Sequence, residues 1–194
     1  MDIDTSDIII LISLVFLILM SAYFSATEMA FSSLNRLRVK SLVEDGNKKA
    51  KLVIKLLDDF DRLISAVLVG NNIVNILSTS LATLFFVKHF GDLGVTLSTV
   101  VMTVLVLIFG EVCPKGIAKE KPEKFALFSA PLIKLAVFLF TPVIVVLVFC
   151  KKTVLRLFVH DDEEKDTITE DELIDFVEEA EQEGSIDEQE SELI

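Results

Sequence analysis

Four apolar blocks separated by short charged stretches dominate the chain: Ile8 to Ala26, Leu63 to Val87, Val95 to Cys113 and Phe125 to Cys150. A helix needs about 20 residues, at 1.5 Å each, to cross a hydrocarbon core of about 30 Å, and these blocks reach that length. Asp2, Asp4 and Asp7 precede the first block without any Lys or Arg. That lead lacks the basic start of a cleaved signal peptide, so the block is predicted to stay as a membrane helix over about 8–28. Behind it come Arg36, Arg38, Lys40, Lys48, Lys49, Lys51, Lys55 and Arg62. The excess of bases puts the N-terminus outside and residues 31–62 in the cytoplasm. Within that stretch apolar residues recur at helical spacing around the break Glu44-Asp45-Gly46-Asn47, which predicts a juxtamembrane helical hairpin over about 31–60 on the inner face. The second block spans outward over about 63–87 to a turn at residues 88–94, and the third returns over about 95–117.

The fourth block is long enough to span, yet Lys and Arg flank it on both sides. A crossing would carry one set of bases outside, whereas a fold-back at Thr141-Pro142 keeps both in the cytoplasm. A re-entrant or half-embedded hairpin over about 122–158 is therefore expected. The result is an all-α membrane protein with three transmembrane helices, cytoplasmic-side juxtamembrane hairpins and a soluble acidic helical tail. Residues 1–159 form the transmembrane domain and 160–194 the tail, and the protein is placed in the cell membrane as a multi-pass chain with its tail in the cytoplasm.

Charge sharpens that division. The formal net charge is −12, but residues 161–194 hold 17 acidic residues and one Lys, so the body before them is mildly basic. Thr169-Glu170-Asp171-Glu172 and Ser185-Ile186-Asp187-Glu188 are capping boxes for two tail helices, with Gly184 as a stop between them. The tail is either a solvated charged linker or a cation-sensing element. The bases flank apolar blocks and form no open patch with aromatics, so no nucleic-acid partner is expected. Cys113 and Cys150 have neither disulfide nor zinc spacing.

The chemistry lies in polar residues inside the apolar blocks. Glu111 sits in Phe109-Gly110-Glu111-Val112-Cys113-Pro114-Lys115. An acid at that depth marks a functional site with a partner to find. Pro114 has no N–H, so in a regular helix the Gly110 carbonyl loses its donor and lies free beside the carboxylate. The alternative is a kinked helix whose Glu111 pairs with Lys115 or snorkels to the interface. Ser21, Ser25 and Glu28 share one helix face, where the serines serve as ion ligands or as small residues for close packing. Asn71, Asn72 and Asn75 place three carboxamides in the second span, as ligands or as an interhelical amide clamp. Taken together these hard oxygen donors suit Mg²⁺, Ca²⁺ or Na⁺ and argue against zinc or copper.

Three segments carry a resemblance: residues 21–30, SAYFSATEMA; residues 69–76, VGNNIVNI; and residues 109–115, FGEVCPK. Together, and in this order, they resemble the membrane domain of the CorC and cyclin-M family of magnesium transporters. The resemblance implies a homodimer in the lipid bilayer, a cytoplasmic belt of juxtamembrane hairpins and an acidic helical bundle over 160–194. It also implies a dehydrated Mg²⁺ held by Ser21, Ser25, Asn72, the Gly110 carbonyl and Glu111, with Asn71 and Asn75 as neighbours; Glu28 is left as either a gate or a residue supporting the ligands from behind. Family members continue into nucleotide-binding CBS modules, which are absent from this chain, so nucleotide regulation does not carry over and the chain is expected to be cut before them. The implied activity is Mg²⁺ transport by alternating access, with Na⁺ a candidate coupling ion. The competing expectation is a Mg²⁺-responsive sensor or scaffold without flux. An intramembrane enzyme is not expected, because it would need a zinc-ligand pattern or paired membrane carboxylates.

Overall fold

A computed structural model describes residues 4 to 158, and among them there is no strand. The acidic tail, including both expected capping boxes, lies outside the described residues. The helices are α1 (Thr5–Ser33), α2 (Arg36–Glu44), α3 (Lys48–Leu57), α4 (Phe60–Phe90), α5 (Gly94–Leu105), a π-helical segment (Val106–Val112), α6 (Cys113–Glu120) and α7 (Pro122–Phe158). Three helical stretches are long and apolar enough to cross a membrane: Thr5–Ser33, Phe60–Glu120 and Pro122–Leu147. The middle stretch doubles back, so the fold is all-helical and of membrane type.

α1 starts where the acidic lead meets the first apolar block. The Asp4 carboxylate accepts from the Asp7 N–H at 3.0 Å, and the Asp7 carboxylate accepts from the Asp4 N–H at 3.1 Å, closing a reciprocal cap. The cap is also an anchor. Lys88, at the far end of α4, reaches Asp4 at 2.7 Å and the fully buried Asp7 at 2.8 Å, and His89 lies 3.4 Å from Asp7. The acids read in sequence as a mere lead therefore tie α1 to α4. Ile8, Ile12, Val15, Phe16 and Leu19 stay exposed, as expected of a lipid-facing stripe, while Leu14, Ser21, Phe24 and Ser25 turn inward.

The reversal between α4 and α5 rests on glycine. Gly91 has φ 59°, a left-handed conformation that suits a residue without a Cβ. At Gly94 a Cβ would stand 2.5 Å from the Phe86 carbonyl and from Val87 Cα, so the two helices meet nearly backbone to backbone. Thr83 Oγ1 and Ser98 Oγ join them further along at 3.0 Å.

At the opposite end α2 and α3 pair across the turn at Gly46, with Val39, Ala50 and Val53 fully buried between them. Asn35 caps α2 and Asn47 caps α3. Arg36 pairs with Asp58 and closes the end of the pair. This pair, the inner parts of α1 and α4, and Ala126, Ala130 and Ile133 of α7 share one apolar core.

Residues 122–158 correct an expectation. In place of a hairpin broken at Thr141-Pro142 they form one helix, with Pro131 and Pro142 inside it. Proline removes one hydrogen bond per site, and neighbouring helices and hydroxyl side chains make that loss tolerable in a membrane bundle. Here Thr141 donates to the Val137 carbonyl at 2.8 Å, and Ala130, Ile133 and Ile144 are buried on the packed face. The helix is nonetheless tied twice to one end of the bundle. Glu123 pairs with Arg38 of α2 at 3.3 Å, and Thr141 accepts from Arg62, at the start of α4, at 2.9 Å. A stretch of that length spans about 27 Å of helix, so a crossing would separate the two anchors by most of a bilayer core. α7 therefore runs along the α2–α3 end between Glu123 and Thr141.

Two outcomes are expected. Gly94→Ala should lower the detergent-solubilised protein's stability by about 1–3 kcal/mol, because two backbones must part. Gly116→Ala, where a Cβ meets nothing within 4 Å, should leave the melting temperature near the parent value. The hydrogen bond from Lys88, with help from Ser6 and the Asp7 N–H, holds the Asp4 carboxyl well below the usual carboxylate range. A depressed carboxylate stabilises the fold above its ordinary pKa, and that contribution is lost as pH falls through the folded value. Lys88→Met should thus flatten the acid limb of the melting-temperature profile below about pH 4; an unchanged limb would contradict the anchor.

Candidate functional site

Three close approaches place the polar residues. Gly70 of α4 lies under the Phe24 ring, where a Cβ would come within 2.5 Å, and Gly110 lies against Ser21, where a Cβ would meet Oγ at 2.9 Å. Small residues on facing helices thus bring α1, α4 and the π-helical segment together at the level of Ser21. Ser21 Oγ donates to Asn71 Oδ1 at 3.0 Å, which makes a hydroxyl–amide bond between α1 and α4 with the Gly110 backbone beside it.

One turn along α1, Ser25 is fully buried, and its Oγ has no hydrogen-bond partner among the described residues. Asn75 Oδ1 is buried and without a partner in the same sense. Most hydroxyls in these helices bond a carbonyl of their own helix, as Thr27 does with Tyr23 at 2.7 Å and Thr79 with Asn75 at 2.9 Å. A buried polar atom left unsatisfied costs about 1–3 kcal/mol, so each of these two oxygens is costly without a further partner.

Asn75 opens onto a cavity of about 280 Å³ that Glu111 also lines. Thr79, Thr99 and Thr103 add hydroxyls to its wall, and Met102, Val106 and Leu107 make the rest apolar. Glu111 is half-buried and makes no ion pair or hydrogen bond among the described residues. Its alternative partner is taken: Lys115 pairs with Glu28 at 3.1 Å. The Glu28 carboxylate, read as a gate or a support for the ligands, thereby serves as the counter-charge that leaves Glu111 free.

The backbone at Glu111 departs from the regular helix expected in sequence. Val106–Val112 is π-helical, and the Cys113 N–H bonds the Ile108 carbonyl five residues back. In that register the donor missing at Pro114 is owed to the Phe109 carbonyl; in the four-residue register that resumes in α6 it is owed to Gly110. The freed carbonyl therefore belongs to the Phe109–Gly110 pair.

The sequence-predicted donors separate into two groups. Ser21 and Gly110 meet at the junction of α1, α4 and the π segment, Glu111 lines the cavity beside it, and Ser25 is buried one turn further along α1. Asn72 does not: it is exposed, and its amide donates to the Leu68 carbonyl of its own helix at 2.9 Å. Its neighbours Asn71 and Asn75 take the inward positions, because at 100° per residue Asn72 turns away from the face they share. Sequence reasoning missed Thr79, Thr99 and Thr103. The one-turn spacing of Thr99 and Thr103 was the available signal. Among the described residues no group of three or more His, Cys, Asp or Glu converges to hold a metal, so any cation here meets one carboxylate and neutral oxygens.

Residues 12–190 match the family described as Cyclin M transmembrane N-terminal domain. Over 137 residues the chain is 44% identical to the UPF0053 inner membrane protein YfjD of Escherichia coli (strain K12), which covers 71% of this chain and 32% of that protein. A UPF0053 protein of Haemophilus influenzae is 36% identical over 87% of this chain and 40% of its own length. A protein named polyamine export protein, also from Haemophilus influenzae, is 25% identical over 95% of this chain and 46% of its own length. The chain thus spans less than half the length of these curated relatives. With a match across nearly its whole length, the chain belongs to the cyclin M family and carries its transmembrane N-terminal domain.

Proposed function

We propose that this chain moves Mg²⁺ across the cell membrane by alternating access, as a multi-pass homodimer with its acidic tail in the cytoplasm. The observation that carries the reading is an uncommitted Glu111 carboxylate sharing a cavity with Asn75, whose buried Oδ1 no described residue satisfies. Hydroxyl, amide, carbonyl and carboxylate oxygens are hard donors, the class that Mg²⁺ and Na⁺ prefer. Ser21, Ser25, Asn71, Asn75, Glu111 and the Phe109–Gly110 carbonyls would then hold the cargo. Asn72 faces outward at membrane depth, and an exposed amide there suits contact with a second copy.

The π-helical segment supplies the moving part. Its five-residue ladder returns to the four-residue one at Pro114, so a small shift of register rotates Glu111 without unfolding the helix. With the cargo bound, the carboxylate is neutralised and the segment tolerates an apolar surround. Without it, the charge draws the site toward water. An inward Na⁺ gradient is the candidate driving force for Mg²⁺ export.

A second reading takes an organic polycation as cargo. Met102, Val106 and Leu107 give the cavity an apolar wall suited to methylene groups, with Glu111 for one ammonium. The name of the Haemophilus influenzae relative points the same way.

Proteoliposomes holding the chain should take up or release Mg²⁺, and Glu111→Gln should cut that flux by at least about tenfold, as loss of the only full charge at the site demands. Equal flux in both proteins would overturn the site. Response to opposed Na⁺ gradients would establish coupling, and spermidine flux exceeding Mg²⁺ flux would favour the second reading. Mg²⁺ binding without flux would instead make the protein a sensor. Pro114→Ala restores a backbone donor to the Phe109–Gly110 carbonyls, so Mg²⁺ affinity measured by calorimetry should fall roughly tenfold at unchanged helix content.

A further inference from the structure

A second cavity, of about 250 Å³, lies where α3, α4 and α7 meet, and its charged lining is Lys55, Arg62, Lys134 and Asp59. Arg62 is already oriented: one nitrogen donates to Thr141 Oγ1 at 2.9 Å, and another lies 3.9 Å from Asp59. Lys55 and Lys134 are exposed and make no ion pair or hydrogen bond among the described residues. The cavity therefore carries an excess of two positive charges. Leu52 and Leu56 of α3 and Val137 and Phe138 of α7 form its apolar walls.

Lys134 is the unexpected member, as the only charged residue between Phe125 and Cys150. A lysine in an apolar helix ordinarily snorkels to water alone. This one instead converges with cations from two other helices on a concavity, and Phe138 beside it is 78% exposed.

We propose that this cavity binds an anionic phospholipid, with Lys55, Arg62 and Lys134 facing the headgroup phosphate and the acyl chains lying against Leu52, Leu56, Val137 and Phe138. The apolar walls decide between lipid and a free phosphoanion, since a soluble phosphate would use the cations and leave the walls bare. Basic residues beside a membrane attract anionic headgroups, and a pocket adds selectivity to that attraction. A lipid held here contacts α3, α4 and α7 together and so braces α7 against the entry to α4. The site is distinct from the cavity at Glu111 and does not depend on which cargo that cavity takes.

The test is headgroup retention by the whole chain, read by native mass spectrometry after equilibration with phosphatidylcholine alone or with about one fifth phosphatidylglycerol. The parent should retain phosphatidylglycerol roughly tenfold over phosphatidylcholine. Lys55→Gln with Lys134→Gln should abolish that preference, while Lys40→Gln with Lys48→Gln, which removes as much charge from α2 and α3 outside the cavity, should keep it. Excess inorganic phosphate should not displace the lipid. No preference in the parent, a preference that survives the first double variant, or one lost equally in both double variants would each overturn the proposal. Displacement by inorganic phosphate would overturn it in favour of a phosphoanion site. The competition arm uses the unaltered chain, so the result does not hinge on a variant folding.

Discussion

Inside a bundle of apolar helices a polar atom has no water to fall back on, and this constraint orders the polar residues of the protein. Most hydroxyls answer it locally, by donating to a carbonyl one turn back, as Thr99 does to Val95 and Thr103 to Thr99. Ser21 answers it across helices, through Asn71. Ser25 Oγ and Asn75 Oδ1 stay unanswered among the described residues. In an environment where satisfaction is the rule these two are exceptions, and one of them, Asn75, shares a cavity with Glu111.

Close packing joins the helices that carry them. Gly70 admits the Phe24 ring and Gly110 admits Ser21, so α1 meets α4 and the π-helical segment without intervening bulk. The π segment is buried at Gly110 and exposed at Leu107, Ile108, Phe109 and Val112, so its irregular backbone meets protein on the face that packs against α1. Packing and chemistry are coupled here: a larger residue at either glycine would push away the helix that carries a donor.

Charges are sorted by the same logic. Lys88 is spent on Asp4 and Asp7 at one end, and Lys115 on Glu28, while Arg36 and Arg38 tie the α2–α3 end to Asp58 and Glu123. What remains uncommitted is informative. Of the charges that line the two cavities, Glu111 in one and Lys55 and Lys134 in the other make no ion pair or hydrogen bond among the described residues. Each cavity joins an unpaired charge to an apolar wall, the combination from which the cation and the phospholipid are proposed.

Much of this was legible in the residues themselves, for a physical reason: apolar blocks of spanning length, an acid within one of them and a proline after it obey local rules. Block lengths determined the all-helical membrane class, Glu44-Asp45-Gly46-Asn47 determined the α2–α3 turn, and Pro114 determined that a carbonyl beside Glu111 must lose its donor. Other features depend on distance between helices and on rotation about each helix axis, which no local rule contains. Only the tertiary structure turned Asn72 outward and Asn71 and Asn75 inward, gave Lys115 to Glu28 instead of Glu111, and joined Asp4 and Asp7 to Lys88. It also carried α7 unbroken through Pro131 and Pro142, because packing against α1 and anchors at Glu123 and Thr141 offset the hydrogen bonds that proline removes. Composition sets which groups must find partners, and three-dimensional packing decides which partners they find.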